Sequence, residues 1–369
     1  MKLEDLKTPA FLIDLPRLKD NLQQIKDRAQ KYAVSLRPHV KTHKTVEIAR
    51  MQTTPEAPGI TVSTLAEARF YQEAGFSDIT YAFPITANKL AEATELTASL
   101  DIFNILLDQP QTLTAVENYG REHGVRFNVF LKVDCGYHRA GIDPTAPAGI
   151  ELARRLAKSE YIEFRGILTH AGHSYHCSNP AEIVEIAEQE RDVMARFADR
   201  LQQNEIACNT VSVGSTPTAM HAPDWQGVNE IRPGNYVFFD KFQADIGSCR
   251  PQQVAATVLT TVAAHYPARN QMLIDAGALA LSKDTGAEHL GDDICFGAVQ
   301  DYSGLKLFSI SQEHGLITSE NPIAFENFPV GRQLQIMPNH SCLTAALFPK
   351  YHVIEDNQVV DEWTPMRGW

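Results

Sequence analysis

Between residues 34 and 231, short apolar stretches alternate with longer amphipathic ones, and this alternation constrains the fold more than any other feature. Eight of the apolar stretches have the length and composition of strands, and helical periodicity lies between most of them. Strands that alternate with helices form parallel sheets, and eight such units over about two hundred residues predict a (β/α)8 barrel. The predicted strands are residues 34–37, 60–63, 79–82, 102–106, 127–133, 164–169, 210–213 and 228–231.

The intervening helices are predicted at residues 46–52, 65–74, 88–99, 110–120, 146–159 and 180–204. One of them begins with a capping-box pattern, from Thr64 to Glu67, and is followed by Gly75 at its expected end. The connection after Val213 has little helical pattern and is the weakest unit. A doubly wound open sheet is therefore the alternative to a barrel.

After about residue 243 the chain changes to alternating segments rich in valine and threonine, with almost no helical periodicity. Residues 352–354 and 359–360 flank a polar stretch in the pattern of a β-hairpin. We expect an α/β barrel over residues 8–242 and an all-β domain over residues 243–369. Residues 1–7 could join that second domain.

The 369 residues carry a formal net charge of −12, which argues against nucleic acid as a partner because phosphate binding favours a basic surface. The sequence has no apolar run of about eighteen residues, so no membrane-spanning helix is expected. Residues 1–5 are charged, unlike a signal peptide, and the six cysteines show no CxxC pair. These features predict a cytoplasmic protein with reduced thiols.

The most basic segment of the chain, residues 37–44, places Lys41 directly after the first predicted strand. Neighbouring cations destabilise an ammonium group, and a neutral lysine amine can add to an aldehyde. The same cations suit an anionic ligand. Taken alone, the segment could equally be a basic surface turn.

The polar motifs of the chain all follow predicted strands, and the chemistry of such barrels lies at the carboxyl ends of the strands. Lys41 follows the first strand, Arg139 the fifth, residues 170–175 the sixth, Ser215 and Thr216 the seventh, and Gly234 and Asn235 the eighth. Backbone amides at residues 214–216 and 234–235 suit a phosphate group, although each turn taken singly could be an ordinary one. A loop arginine is usually solvated, but the position of Arg139 at a strand end favours contact with a ligand.

Several motifs resemble one enzyme family. RPHVKTHK at residues 37–44, preceded by TPAFLIDLPRLKDNL, is similar to the start of the D-threonine aldolase and eukaryotic-type D-serine dehydratase family. Further similar stretches are VDCGYHRAGI at 133–142, HAGHSY at 170–175, VGSTPT at 213–218, EIRPGNYVFFD at 230–240 and PNHSC at 338–342. The resemblance spans nearly the whole chain, and it implies the barrel of the alanine racemase type, which binds pyridoxal 5'-phosphate (PLP).

The resemblance also implies roles for individual residues. Lys41 would hold PLP covalently and remove the α-proton of the substrate, Arg139 would contact the phenolic oxygen of PLP, and Tyr175 would lie near the cofactor. The expected phosphate site consists of Ser215, Thr216, Gly234 and Asn235. Arg232 aligns with the arginine that faces the pyridine nitrogen in alanine racemase, where it would keep that nitrogen unprotonated; alternatively, Arg232 packs at the barrel rim.

His340 and Cys342 are two residues apart, so both side chains would point to one face if residues 338–343 were extended. Imidazole and thiolate together suit zinc, with Mn²⁺ or Mg²⁺ as alternatives. Two protein ligands would leave metal positions for water or substrate. An HxC pair alone is a weak signal, but PNHSC resembles the D-serine dehydratase branch, whereas some D-threonine aldolases carry a carboxylate at the second position.

The expected function is a PLP- and metal-dependent lyase that dehydrates D-serine or a related D-3-hydroxy amino acid to a 2-oxo acid and ammonia. The alternatives are an aldolase of the D-threonine type, which releases glycine and an aldehyde, an amino-acid racemase, and a non-catalytic PLP-binding protein. The resemblance further implies a homodimer in which the β domain of one subunit closes the barrel mouth of the other.

Overall fold

The computed structural model describes residues 1–291 and 294–369. They form two compact units. The barrel unit comprises Ile25–Gly234 and Gly368–Trp369, and the β unit comprises Met1–Gln24 and Asn235–Arg367. The structural division therefore falls at residues 24 and 234, whereas the sequence places it near residue 242.

The strands are β1 Ala10–Asp14, β2 Ser35–Leu36, β3 Ile60–Val62, β4 Asp78–Pro84, β5 Ile102–Leu107, β6 Phe127–Lys132, β7 Ile162–Leu168, β8 Thr210–Val213, β9 Glu230–Ile231, β10 Ala256–Tyr266, β11 Gln271–Ile274, β12 Gly297–Val299, β13 Lys306–Ile310, β14 Gly315–Thr318, β15 Gln333–Pro338, β16 Tyr351–Glu355 and β17 Gln358–Trp363. The α-helices are α1 Leu15–Lys31, α2 Val46–Gln52, α3 Leu65–Glu73, α4 Leu90–Ser99, α5 Pro110–His123, α6 Pro147–Lys158, α7 Pro180–Gln203, α8 Thr216–His221, α9 Lys241–Asp245, α10 Ala278–Leu281 and α11 Ser341–Ala345.

The barrel unit contains eight parallel strands in the order β2-β9-β8-β7-β6-β5-β4-β3. A parallel bridge between His39 and Thr61 joins the segment after β2 to β3, so the two edges of the sheet meet. The predicted barrel is thus confirmed. The weak seventh connection contains α8, a helix of six residues that is too short to show a helical repeat in the sequence.

Charged side chains pair with one another in the barrel unit. The guanidinium of Arg37, next to β2, contacts Asp78 of β4 at 2.6 and 2.9 Å and Glu230 of β9 at 2.6 Å. A Cβ atom at Gly59 would lie 2.3 Å from this guanidinium, so a residue without a side chain is needed there. The expectation that Arg37 adds to the cations around Lys41 is therefore wrong, because two carboxylates compensate its charge.

Replacing Arg37 by methionine should lower the free energy of unfolding by about 3–5 kcal/mol, because it leaves two largely buried carboxylates without their partner. Urea denaturation measures this change. The control is Arg126→Met, which breaks a pair with Glu163 whose side chains are 60% and 40% exposed and should cost less than about 1 kcal/mol. Equal losses in the two variants would contradict the assigned role of Arg37.

In the β unit, strands β10, β11, β14, β13, β12 and β15 pair in that order, and β15 pairs with β10 again, which closes an antiparallel ring. Strand β1 pairs antiparallel with β10 and parallel with β16, so the N-terminal segment belongs to this unit. The predicted hairpin is confirmed by β16 and β17. Its turn residues Asp356 and Asn357 have φ values of 48° and 57°, as a type I′ turn requires.

An aromatic cluster anchors β1 in the β unit. The ring of Phe11 lies 4.7 Å from that of Tyr351, 5.6 Å from that of Phe348 and 5.9 Å from that of Phe238. These rings are all buried and supply a large apolar area that packs β1 within the β unit.

All six cysteines are free thiols, as the sequence predicts. Within residues 1–291 and 294–369, no helix has the length and apolarity needed to cross a bilayer.

Candidate active site

Lys41 lies on a short 3₁₀-helix, Val40–Thr42, that follows β2, and its side chain is exposed. The charge of Lys41 acts on two imidazoles, those of His39 and His170. Burial holds the pKa of His39 and His170 well below the usual range, and the positive charge of Lys41 lowers both further. Lys41 therefore faces neutral imidazoles, and neither of them compensates its charge.

Two other basic residues of the segment, His43 and Lys44, are engaged by other side chains. His43 is buried and bonds to Thr45 and Gln52, and burial lowers its pKa to about 3. The Nζ atom of Lys44 lies 3.0 Å from the carboxylate of Glu67. Of the positive charges in residues 37–44, that of Lys41 at the strand end thus remains without a carboxylate partner in the described part of the chain.

The loop after β6 brings Arg139 to the same end of the barrel. Asp134 shapes this loop by accepting the N–H groups of Gly136 and His138 at 2.9 and 3.0 Å. The guanidinium of Arg139 is exposed and lies 5.2 Å from the ring centroid of Tyr137. The charges of Lys41 and Arg139 both lower the pKa of His170, whose own burial is the largest cause of the lowering.

Arg232 is fixed inside the barrel unit. Its buried guanidinium donates to Ser212 and to the backbone carbonyls of Val213 and Thr169, and burial lowers its pKa to about 10. These bonds are compatible with packing at the barrel rim as well as with a role at the cofactor. The contact with a pyridine nitrogen remains a prediction.

Sequence reasoning missed Lys132, the last residue of β6. It is buried, and burial lowers its pKa to about 8, with further contributions from the charges of Arg232 and Arg139. From the sequence, a lysine at the end of an apolar strand is expected to be exposed where the strand ends. Its burial depends on residues that only the fold brings next to it. The charges of Lys41, Arg139 and Lys132 all lower the pKa of His170, and a region with this excess of positive charge suits an anionic ligand.

The loops after β7 and β8 are tied to each other. His170 donates from Nδ1 to the carbonyl oxygen of Gly214 at 2.9 Å, and the hydroxyls of Ser174 and Ser215 lie 2.8 Å apart. The amide of Ser215 donates to Thr218 at 3.1 Å, in a capping box that starts α8. The donors of Ser215 are thus engaged within the protein.

Three other predicted cofactor residues occupy the same loops or the next one. Tyr175 lies on the 3₁₀-helix Gly172–His176, and Thr216 is the buried first residue of α8. Gly234 follows β9, and a Cβ atom there would lie 2.8 Å from the carbonyl oxygen of His39. The backbone after β9 therefore passes against the Lys41 segment so closely that only glycine fits.

In the β unit, His340 and Cys342 come together at the start of α11. Residues 338–343 are not extended, because β15 ends at Pro338, His340 precedes the helix and Cys342 lies in its first turn. The expected strand geometry is therefore wrong, and the helix start brings the two side chains into contact. Burial alone would lower the pKa of His340, but hydrogen bonds with Asp284 and Cys342 raise it to about 11.

Asp284 contacts the Nδ1 atom of His340 at 3.1 Å. It was not recognised from the sequence, because it lies far from His340 along the chain. A carboxylate on one imidazole nitrogen orients the other toward a metal. Within the described ranges 1–291 and 294–369, no three His, Cys, Asp or Glu side chains form a metal-binding group.

The side chain of Asn235 belongs to this second cluster. Its Nδ2 atom lies 3.7 Å from Sγ of Cys342, 2.9 Å from Ser341 and 2.9 Å from the buried carboxylate of Asp240. Asp240 also accepts the backbone N–H of Ser341 at 3.0 Å. The Nδ2 group of Asn235 is therefore engaged by Asp240, Ser341 and Cys342 within the β unit, and the phosphate contact expected for Asn235 stays a prediction.

Comparisons with known proteins agree with these features. Residues 13–241 match the family model "Alanine racemase, N-terminal domain", and residues 255–354 match "Putative serine dehydratase domain". The chain is 39% identical to the D-serine dehydratase of Dictyostelium discoideum, an alignment that covers 100% of this chain and 98% of that protein.

Two solved structures extend the comparison. D-threo-3-hydroxyaspartate dehydratase from Delftia sp. HT23 superposes with a TM-score of 0.95 at 36% identity over 100% of both chains. D-threonine aldolase from Filomicrobium marinum superposes with a TM-score of 0.86 at 25% identity, over 99% of this chain and 96% of that one. The chain therefore belongs to the D-serine dehydratase and D-threonine aldolase family, whose barrel is of the alanine racemase type.

Proposed function

We propose that this chain is a PLP- and divalent-metal-dependent lyase that dehydrates D-serine or a related D-3-hydroxy amino acid to a 2-oxo acid and ammonia. The observation that carries the proposal is the occurrence, in one chain, of an exposed lysine at the end of a barrel strand and an imidazole–thiolate pair oriented by a carboxylate. The dehydratases among the relatives support this reaction.

The residues of the barrel unit fit PLP. Lys41 offers an amine beside neutral imidazoles, and Lys132 and Arg139 supply positive charge for an anionic ligand. When bound, PLP withdraws electrons from the α-carbon of an amino acid and makes its α-proton acidic. The Nζ atom of Lys41 is the group placed to accept that proton.

The donors of the β unit fit one borderline-soft metal ion, and zinc is our proposal. Imidazole and thiolate are typical zinc ligands, and Asp284 provides the outer carboxylate. A Lewis acid at this pair offsets the negative charge that develops on a leaving 3-hydroxyl group. A cysteine-to-alanine variant of the Delftia dehydratase has been solved in a form described as metal-free, which supports metal binding in that relative.

Aldol cleavage is the second candidate, because a D-threonine aldolase shares this fold. The deciding experiment incubates the metal-loaded enzyme separately with D-serine, D-threonine and D-threo-3-hydroxyaspartate, and measures 2-oxo acid against glycine plus aldehyde. We expect 2-oxo acid and ammonia. Glycine as the main product would overturn the dehydratase proposal, and turnover of L-isomers alone would exclude this substrate class.

We also propose a cytoplasmic homodimer in which the β unit of one subunit closes the barrel mouth of the other. Such an arrangement would bring the metal pair and Lys41 to one substrate. Light scattering and activity on serial dilution test the proposal: we expect a dimer whose specific activity falls when it dissociates. A monomer with full activity at every dilution would contradict it.

A further inference from the structure

We infer that Glu190 is the positioning residue that holds together the two loops of the expected phosphate site, an inference that rests on the proposed binding of PLP. Glu190 lies on α7, outside every motif that the sequence singles out, and it is fully buried. A buried carboxylate is costly unless all its neighbours donate to it, so its contacts show what it does.

Each oxygen of Glu190 accepts from the loops that follow β7 and β8. Its Oε1 atom accepts the backbone N–H of Ala171 at 3.0 Å and that of Gly214 at 3.0 Å. Its Oε2 atom accepts the hydroxyl of Thr218, in α8, at 2.8 Å. One oxygen atom therefore bridges the two loops, and the other fixes the helix that begins at the second loop.

These bonds determine how the loops present their groups. Ala171 directly follows His170 and precedes Tyr175 by one helical turn, and Gly214 directly precedes Ser215 and Thr216. Glu190 thus sets the distance between the loops after β7 and β8. Two further bonds join these loops, one between Ser174 and Ser215 and one between His170 and Gly214. Because the Gly214 amide is used by Glu190, it positions the loop and is not itself a phosphate ligand.

The charge of Glu190 is compatible with a nearby phosphate because Arg232 opposes it. Burial raises the pKa of Glu190, whereas the bonds from Gly214 and Thr218 and the charge of Arg232 lower it. All three hydrogen-bond partners can donate, which suits an ionised, acceptor-only carboxylate. The three donors from the two loops and α8 thus require acceptor oxygens at this position, and they require them more than a negative charge.

The test compares PLP with pyridoxal, which lacks the phosphate group. Dissociation constants of both are measured for the full chain and for Glu190→Ala, Glu190→Gln and Met194→Ala. Met194 is a fully buried apolar residue on the same helix, so its variant reports the cost of weakening α7 alone. Thermal unfolding of each apoprotein is measured in parallel.

In Glu190→Ala we expect the preference for PLP over pyridoxal to fall by about tenfold or more, because two buried N–H groups lose their acceptor and the loops separate. Glu190→Gln keeps an acceptor oxygen and should stay within about threefold of the unaltered chain. Met194→Ala should weaken both ligands equally. If Glu190→Ala fails to fold, Thr218→Val, which removes the Thr218 bond to Glu190 together with the bond from the Ser215 amide, should still lower the preference.

An equal loss for PLP and pyridoxal in Glu190→Ala, or no loss, would overturn the inference and leave the proposed function intact. The same follows if Met194→Ala changes the preference as much as Glu190→Ala does. If the unaltered chain bound PLP no better than pyridoxal, the cofactor proposal would fail together with the inference. The two kinds of failure are therefore distinguishable.

Discussion

Replacing Lys41 by alanine should reduce kcat for D-serine dehydration by about 10⁴-fold or more, since the variant loses both the amine that holds the cofactor and the base for the α-proton. In the unaltered chain, borohydride reduction of the PLP-loaded protein should fix the cofactor covalently, and peptide mapping should find it on Lys41. The visible absorbance of lysine-bound PLP should disappear in the same step.

Lys44→Gln is the matched control for this experiment. Lys44 lies three residues along the chain, and its Nζ atom contacts Glu67 at 3.0 Å, where a glutamine amide can still donate a hydrogen bond. We expect this variant to keep the label and its activity. A label on Lys44, or covalent cofactor in Lys41→Ala, would refute the central role given to Lys41.

Replacing His340 by alanine should reduce the dehydration rate by about 10³-fold or more, because the metal loses an imidazole ligand and the 3-hydroxyl loses its Lewis acid. Chelation of the unaltered chain should have the same effect, reversed by added zinc. Asp284→Asn should keep the ligands but weaken metal binding by about 10–100-fold, measured by metal titration.

A second readout separates metal chemistry from collapse of the site. In deuterated water, His340→Ala should still exchange the α-proton of D-serine, because that step belongs to Lys41. His352→Ala is the control within the β unit, since His352 pairs with Glu362 on the surface hairpin and should leave turnover unchanged. Full dehydration activity after chelation, or in His340→Ala, would exclude the metal mechanism.

Much of the fold could be predicted because local sequence patterns indicate its strands, helices and turns. Each barrel strand is a short apolar run, and its boundaries in the structure lie within a few residues of those expected; β8, at Thr210–Val213, matches fully. Lys41 was recognisable for the same reason, as a cation placed directly after such a run. The hairpin of β16 and β17 was recognisable from its polar turn.

The supporting residues could not be predicted, because their partners are distant in the sequence. Arg37 reads as one of several clustered cations, and only the fold brings Glu230 to it. Glu190 reads as one more acid of an amphipathic helix, and its burial depends on two loops that α7 meets in space. At His340 the error was local: the short helix α11 begins where an extended segment was assumed.

The pairing of β1 has a consequence for the synthesis of this protein on the ribosome. Residues 10–14 are translated well before their partners in β10 and β16, which begin at residues 256 and 351. At about 5–20 residues per second, the first strand waits roughly 10 to 50 s for β10, while the whole barrel unit is made in between. Phe11, Leu12 and Ile13, all fully buried in the finished protein, stay unpaired throughout that interval. The nascent chain thus carries an unpaired, aggregation-prone apolar strand until β10 has been translated.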